Sequence, residues 1–250
     1  MVIVIVIVSG LIIGSFLNAA IFRLHSGQSI LFDRSKCPNC KHVLGIWDLV
    51  PVLSFLFLKG RCRYCRSKIS WQYPIIELAT ALVFVLLFWN MEYGIWNMEL
   101  WFQAIFACFF ILIAVYDYKH YLILDKVLVL LFAISLGYNI YQGKLAEGLL
   151  MGAGFAAFFL LQYFLSSGRW IGMGDIKFGF VLGNMFGYLS LIVLLLAYLG
   201  GALLGLILIA AGRKALSSRL PFGTFLSASA IMTLLYGDKI LAWYLDLIGM

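Results

Sequence analysis

Apolar runs long enough to cross a bilayer recur along the whole chain, at residues 1–22, 74–89, 100–116, 123–141, 148–166, 176–190, 191–211 and 222–245. A helix needs roughly 20 such residues to span about 30 Å of hydrocarbon. Backbone N–H and C=O groups find no water there, so segments of this kind satisfy them internally by forming helices. The pattern predicts an all-α polytopic membrane protein with about eight transmembrane helices. The sixth run is short and meets the seventh near Gly187-Tyr188, which makes seven spans the competing count. Composition leads to the same class. With 64% hydrophobic and 12% charged residues in 250 and a mean hydropathy of +1.03, a soluble fold would leave too much apolar surface uncovered. The first run carries no basic residue ahead of it and reads as a retained span, a cleaved signal peptide being the alternative.

The charge pattern orients these runs. With the amino terminus outside, the inner segments hold Arg23, Arg34, Lys36, Lys41, Lys59, Arg61, Arg63, Arg66, Lys68, Lys119, Lys126, Arg169, Lys177, Arg213, Lys214 and Arg219, whereas only Lys144 and Lys239 fall outside. The outer segments hold Glu92, Glu99, Glu147, Asp238 and Asp246. This is the asymmetry of the positive-inside rule. It accounts for the net charge of +7 by topology, so membrane lipid is an expected partner and nucleic acid is not. Small residues four apart, as in Gly10/Gly14, Gly148/Gly152, Gly179/Gly183/Gly187 and Gly201/Gly205, line single helix faces and are expected to pack helices closely.

The one long polar interruption, residues 23–73, contains Cys37-Pro38-Asn39-Cys40 and Cys62-Arg63-Tyr64-Cys65. Two such knuckles can close a tetrahedral four-sulfur zinc site. Two disulfides are the alternative, but the charge count places the loop in the reducing cytoplasm. Four thiolates leave no open position for water, so the expected role of Cys37, Cys40, Cys62 and Cys65 is structural. Cys108 lies within an apolar run and is expected to be a small buried side chain.

Two acids stand at the edges of apolar runs: Asp117 in Val115-Tyr116-Asp117, and Asp175 in Gly172-Met173-Gly174-Asp175. An ionisable group in such a place is costly and usually has a task. With the orientation above, Asp117 ends the third span and Asp175 begins the sixth on the same, cytoplasmic, side. Two adjacent carboxyls can hydrolyse a peptide without metal or serine, one activating water and the other protonating the carbonyl. Gly172 and Gly174 would let backbone approach an extended substrate. The alternative is that Asp175 merely caps a helix and Asp117 is solvated in a loop. Asp125 fits a cap better than a catalyst. Glu77, one turn inside the second span, is either a packing acid or a polar wall of the same cavity.

Taken together, Gly14-Ser15-Phe16-Leu17-Asn18 with Arg23-Leu24, the paired Cys-x-x-Cys knuckles, Pro51-Val52-Leu53-Ser54-Phe55, Gly60-Arg61-Cys62, Tyr73-Pro74-Ile75-Ile76-Glu77, Asp117 before His120, Gly172-Met173-Gly174-Asp175-Ile176-Lys177 and Pro221-Phe222-Gly223 resemble the bacterial type IV prepilin peptidases from first span to last. The resemblance implies an eight-helix aspartic protease of the bacterial plasma membrane, with Asp117 and Asp175 as catalytic pair at the cytoplasmic face. It would cleave the basic leader of type IV prepilins and pseudopilins after Gly. The resemblance also implies methylation of the new amino terminus with S-adenosylmethionine, an activity associated with the amino-terminal half. One departure is Ile123-Leu124-Asp125, where the family usually carries Ile-Pro-Asp. Tyr116-Asp117 with Gly172-Met173-Gly174-Asp175 also looks like the presenilin and signal peptide peptidase group, which lacks the zinc loop. A transporter or scaffold with intramembrane carboxylates is the reading from a different class. The expected organisation is a first transmembrane helix at 1–22, a cytoplasmic zinc-binding loop at 23–73 and a transmembrane protease bundle at 74–250.

Overall fold

A computed structural model describes residues 1–30, 32–90, 98–212 and 220–249. Of the charges used above for orientation, Glu92, Arg213, Lys214 and Arg219 lie outside the described residues. The described chain is helical: α1 Val2–Ser26, a short α2 Leu53–Phe57, α3 Gln72–Asn90, α4 Met98–His120, α5 Asp125–Gln142, α6 Leu145–Ser166, α7 Met173–Phe186, α8 Ser190–Ala210 and α9 Phe222–Leu247. The eight long helices coincide one for one with the eight apolar runs. Judged by length and composition, six stretches can cross a membrane: α1, α3, α4, α6, α9, and α7 with α8 taken as one stretch of 38 residues. At about 1.5 Å per residue the 14 residues of α7 cover only about 21 Å, less than a bilayer core. It stops at Gly187, whose φ of +54° ends the helix. The stretch Asp125–Gln142 is absent from the six because it is less apolar, and its polar residues are used within the bundle.

The chain divides into two compact units, Met1–Leu112 and Ile113–Met250, with the boundary inside α4. In the first, α1 and α3 pack backbone to backbone. A methyl added to Gly10 would lie 2.6 Å from Cα of Ala81, and one on Gly14 would lie 2.7 Å from Cα of Glu77. The small-residue face thus does what its spacing predicts. Asn18, buried on α1, donates to the Tyr73 carbonyl at 3.1 Å and accepts from Gln72 at 3.2 Å, fixing the start of α3. The polar loop between α1 and α3 is two copies of one knuckle. In each, the first cysteine's N–H pairs with a carbonyl five residues on (Cys37 to His42, 3.0 Å; Cys62 to Ser67, 2.8 Å), and its carbonyl accepts from the fourth residue on (Lys41, 2.9 Å; Arg66, 3.0 Å). Lys41 and Arg66 share a left-handed φ of 59°, which aims the following chain back along the strand-like bridges Lys36–Val43 and Arg61–Lys68.

In the second unit, α6 and α7 approach through glycine. A methyl on Gly152 would meet the Phe180 carbonyl at 2.8 Å, and one on Gly183 the Met151 carbonyl at 2.6 Å. Beside this seam α5 contributes two buried polar side chains. Ser135 donates to Oδ1 of Asn184 at 2.8 Å, and Asn139 donates to the Asn184 carbonyl at 2.7 Å. All three residues are buried. Hydrogen bonding is what makes their burial tolerable in an apolar bundle.

Candidate active site and metal centre

Asp117 is the fourth-last residue of α4 and is buried, not solvated in a loop as the alternative reading had it. Its carboxylate faces the first turn of α9. Oδ2 accepts the Thr224 backbone N–H at 2.8 Å and the Thr224 hydroxyl at 3.2 Å, and the carboxylate is also bonded by the Gly223 N–H. Pro221 occupies the cap position of that helix, so Gly223 and Thr224 are the residues whose N–H groups have no partner within the helix. A helix start is a natural seat for an anion. Gly223 is required for the approach, because a methyl there would lie 3.0 Å from Oδ2 of Asp117 and 2.7 Å from Cδ1 of Ile123.

Asp175 lies in the first turn of α7 and is half-buried. It is the third residue of the helix rather than its cap: Gly172 holds the cap position and donates its N–H to Oδ2 of Asp175 at 3.1 Å. One carboxylate oxygen is thereby held by the helix start. Asp117 and Asp175 lie within reach of one another's charge. Ile123 stands between their neighbours: its Cβ is 3.3 Å from where a methyl on Gly174 would sit, and its Cδ1 abuts Gly223. The ends of α4, α7 and α9 that carry the two acids and Thr224 therefore converge. Both acids are thus bonded by backbone N–H groups at helix starts and feel one another's charge, and two carboxyls brought close together can divide the acid and base roles between them.

Asp125 opens α5 and forms an exposed ion pair with Lys177 of α7 at 2.8 Å. Glu77 belongs to the first unit, where it is buried and accepts the Val52 N–H at 2.7 Å together with a hydrogen bond from Ser15. Val52 has a φ of 60°, a costly conformation for a β-branched residue. Glu77 thus braces a strained turn, and the aspartates are in the other unit.

The four cysteines converge. The sulfurs of Cys37, Cys40, Cys62 and Cys65 all lie within 4.8 Å of one another, and Cys37 and Cys65 are 3.8 Å apart. Zinc–sulfur bonds of about 2.3 Å give a tetrahedron with an edge of about 3.8 Å, so the donor set fits zinc. Burial opposes ionisation of Cys37, but the N–H groups of Cys40 and Asn39 outweigh it and draw its pKa down to about 6. Despite the His42 N–H, desolvation and the sulfurs of Cys37 and Cys65 push Cys40 up to about 11. Four crowded thiols cannot all ionise without a cation among them, and a divalent metal removes that conflict.

Two family models match the chain: the bacterial peptidase A24 N-terminal domain at residues 8–91 and the type IV leader peptidase family at residues 104–210. The prepilin leader peptidase/N-methyltransferase of Bacillus subtilis is 34% identical over 97% of this chain and 98% of its own length. The chain belongs to the type IV leader peptidase family. Relatives of the same description from Aeromonas salmonicida (32% identical, 95% of this chain and 92% of theirs) and Pseudomonas aeruginosa (29%, 97% and 93%) span it as fully. No solved structure matches the chain significantly. The peptidase-family match contains both Asp117 and Asp175, and the N-terminal match contains all four cysteines.

Three residues at the site escaped sequence reasoning. Thr224 follows Pro221-Phe222-Gly223, and that helix-start pattern was the available signal. Ile123 enters the sequence reading only within Ile123-Leu124-Asp125, and nothing in that segment marks it as a neighbour of Gly174 and Gly223. Tyr198 of α8 lies within charge reach of Asp175 and donates to Gln162 at 2.8 Å; nothing in its apolar run marks it.

Proposed function

We propose that this chain is a membrane-embedded aspartic endopeptidase that removes the basic leader of type IV prepilins and pseudopilins after glycine, and then methylates the new amino terminus. The reading is carried by one observation: Asp117, collared by the start of α9, lies within charge reach of Asp175 at the start of α7. In this scheme one carboxyl takes a proton from water while the other protonates the scissile carbonyl, and the roles exchange as the amine leaves. The exposed Gly172 and the adjacent Gly174 would present backbone to an extended substrate, and Glu77 would hold the Val52 turn from its own unit. Asp117 and Asp175 are the proposed catalytic pair. The functional division we favour is a first span at 1–22, a zinc-binding loop at 23–73 held by Cys37, Cys40, Cys62 and Cys65, and a protease bundle at 74–250.

The protein is multi-pass, and its lysine and arginine distribution supports placing the site at the cytoplasmic face of the bacterial plasma membrane. A prepilin anchored by its own apolar helix would then present its leader at the depth of the two acids. S-adenosylmethionine would supply the methyl group. The test is full-length protein in lipid, mixed with a prepilin and S-adenosylmethionine, with mass spectrometry of the product's amino terminus. A product beginning after the leader glycine and heavier by one methyl supports both activities. A cut but unmethylated product removes the transferase half, and an uncut prepilin with folded protein overturns the peptidase.

A further inference from the structure

Arg23 is the residue whose position the reading above leaves unexplained. It lies near the end of α1, is 92% buried, and no ion pair to it occurs among the described residues. Its guanidinium donates to neutral acceptors, the Ile30 carbonyl and, at 3.3 Å, the Ser35 hydroxyl. A buried cation without a counter-charge is expensive, and five N–H donors in a planar fork are suited to a carboxylate.

The guanidinium lines a cavity of about 360 Å³. Its wall combines Arg23, Arg34, Ser35 and Asp33 with the apolar side chains of Phe16 and Ile46. Asp33 is exposed, and one of its oxygens accepts the Ser29 N–H at 2.8 Å, leaving the other available. The cavity thus offers a buried cation, a second arginine, an acid and two exposed apolar side chains in its lining. The two arginines suit a carboxylate, and Asp33 gives an ammonium on the same ligand a partner that a simple anion would leave unused.

We infer that this cavity binds the amino-acid end of S-adenosylmethionine, the carboxylate on Arg23 and the ammonium on Asp33, with the adenosyl group against Phe16 and Ile46. The inference rests on the methyltransferase half of the proposed function. The cavity lies wholly within the N-terminal match at 8–91, apart from the leader peptidase match that begins at residue 104. A pocket of several hundred cubic ångströms with a few convergent polar groups is the usual form of a small-molecule site.

The experiment is equilibrium dialysis of full-length protein in lipid nanodiscs against labelled S-adenosylhomocysteine, which has the same amino-acid and adenosyl ends. Wild type, Arg23→Gln and Asp33→Asn are compared, each checked for its unfolding temperature and elution volume. The expected result is binding by wild type, weakened at least about tenfold in Arg23→Gln and severalfold in Asp33→Asn. Asp33 is exposed, so its variant keeps the test decisive if Arg23→Gln does not fold. Wild-type affinity in the folded variants overturns the site while leaving methylation standing. Loss in Arg23→Gln of co-purifying phosphatidylglycerol, with nucleoside binding unchanged, also overturns it and assigns the cavity to a lipid headgroup. Absence of binding and of methyl transfer in wild type removes the methyltransferase reading together with the site.

Discussion

The backbone N–H of Thr224 donates to Oδ2 of Asp117 at 2.8 Å across 107 residues of sequence, and the Thr224 hydroxyl reaches the same oxygen at 3.2 Å. The hydroxyl also lies 3.1 Å from the Ala114 carbonyl, so its single proton serves one acceptor at a time. Thr224→Val keeps the shape and the N–H but deletes the hydroxyl. Losing one hydrogen bond to a charged group costs about 1.5–3 kcal/mol, which predicts a fall in cleavage kcat of about ten- to a hundredfold with KM little changed. Gly223→Ala should do more harm, because its methyl would meet Asp117 and Ile123. Steady-state cleavage of a prepilin by the two variants checks both.

Replacing either acid should stop cleavage. Asp117→Asn and Asp175→Asn each preserve shape and remove a proton-transfer group, for a loss of about 10²–10⁴ in rate. Gel filtration and unfolding temperature should remain close to wild type. Activity surviving in both variants would sink the dyad.

A zinc ion held by the four cysteines would give about one metal per chain by elemental analysis, lost in Cys62→Ser. Without metal, the two knuckles keep weak contacts such as the stacked rings of His42 and Tyr64 but lose the shared ion. Trypsin should then cut at the exposed basic residues of the loop, such as Arg63 and Arg66, in chelator-treated protein faster than in metal-loaded protein. Equal cleavage rates would show that the metal holds nothing in place.

At the glycine seam of α6 and α7, Gly152→Val should lower folded yield and unfolding temperature. Its Cβ would fall 2.8 Å from the Phe180 carbonyl and 3.2 Å from the Asn184 nitrogen, so one helix must shift. Overpacking of this kind costs about 1–3 kcal/mol or more. Gly154 has open space within 4 Å, and Gly154→Ala should be tolerated.

The ion pair of Asp125 and Lys177 is exposed on both sides, with side chains 64% and 50% accessible. Solvent screening limits such a pair to about 0–1 kcal/mol. Asp125→Asn should therefore leave the unfolding temperature within a few degrees of wild type. A large drop would mean that the first turn of α5 depends on this contact.

The sequence by itself determined the helices and the four-cysteine loop. Eight apolar runs became eight long helices because lipid leaves the backbone no other partner, and α1, α5 and α7 end at glycines with positive φ. The knuckles were legible because Cys-x-x-Cys is a local geometry, set by hydrogen bonds between residues five or fewer apart. Glycines four apart forecast close packing, since one helix face is fixed by the period of the helix. Asp117 and Asp175 stood out because carboxylates are rare in apolar runs.

Tertiary structure decided everything that depends on which helix ends meet. Sequence could place both acids on one side of the membrane but could not bring the start of α9 onto Asp117, because nothing local to Thr224 refers to a residue 107 positions earlier. It left Glu77 as either a packing acid or a cavity wall; the fold sets it under the strained Val52 turn. Arg23 read as one more positive charge on the inner side, and only the return of the loop over α1 buries it beside a cavity. Spacing along the chain encodes faces and knuckles, whereas contacts between distant segments arise from packing, and it is there that charge acquires a partner or is left without one.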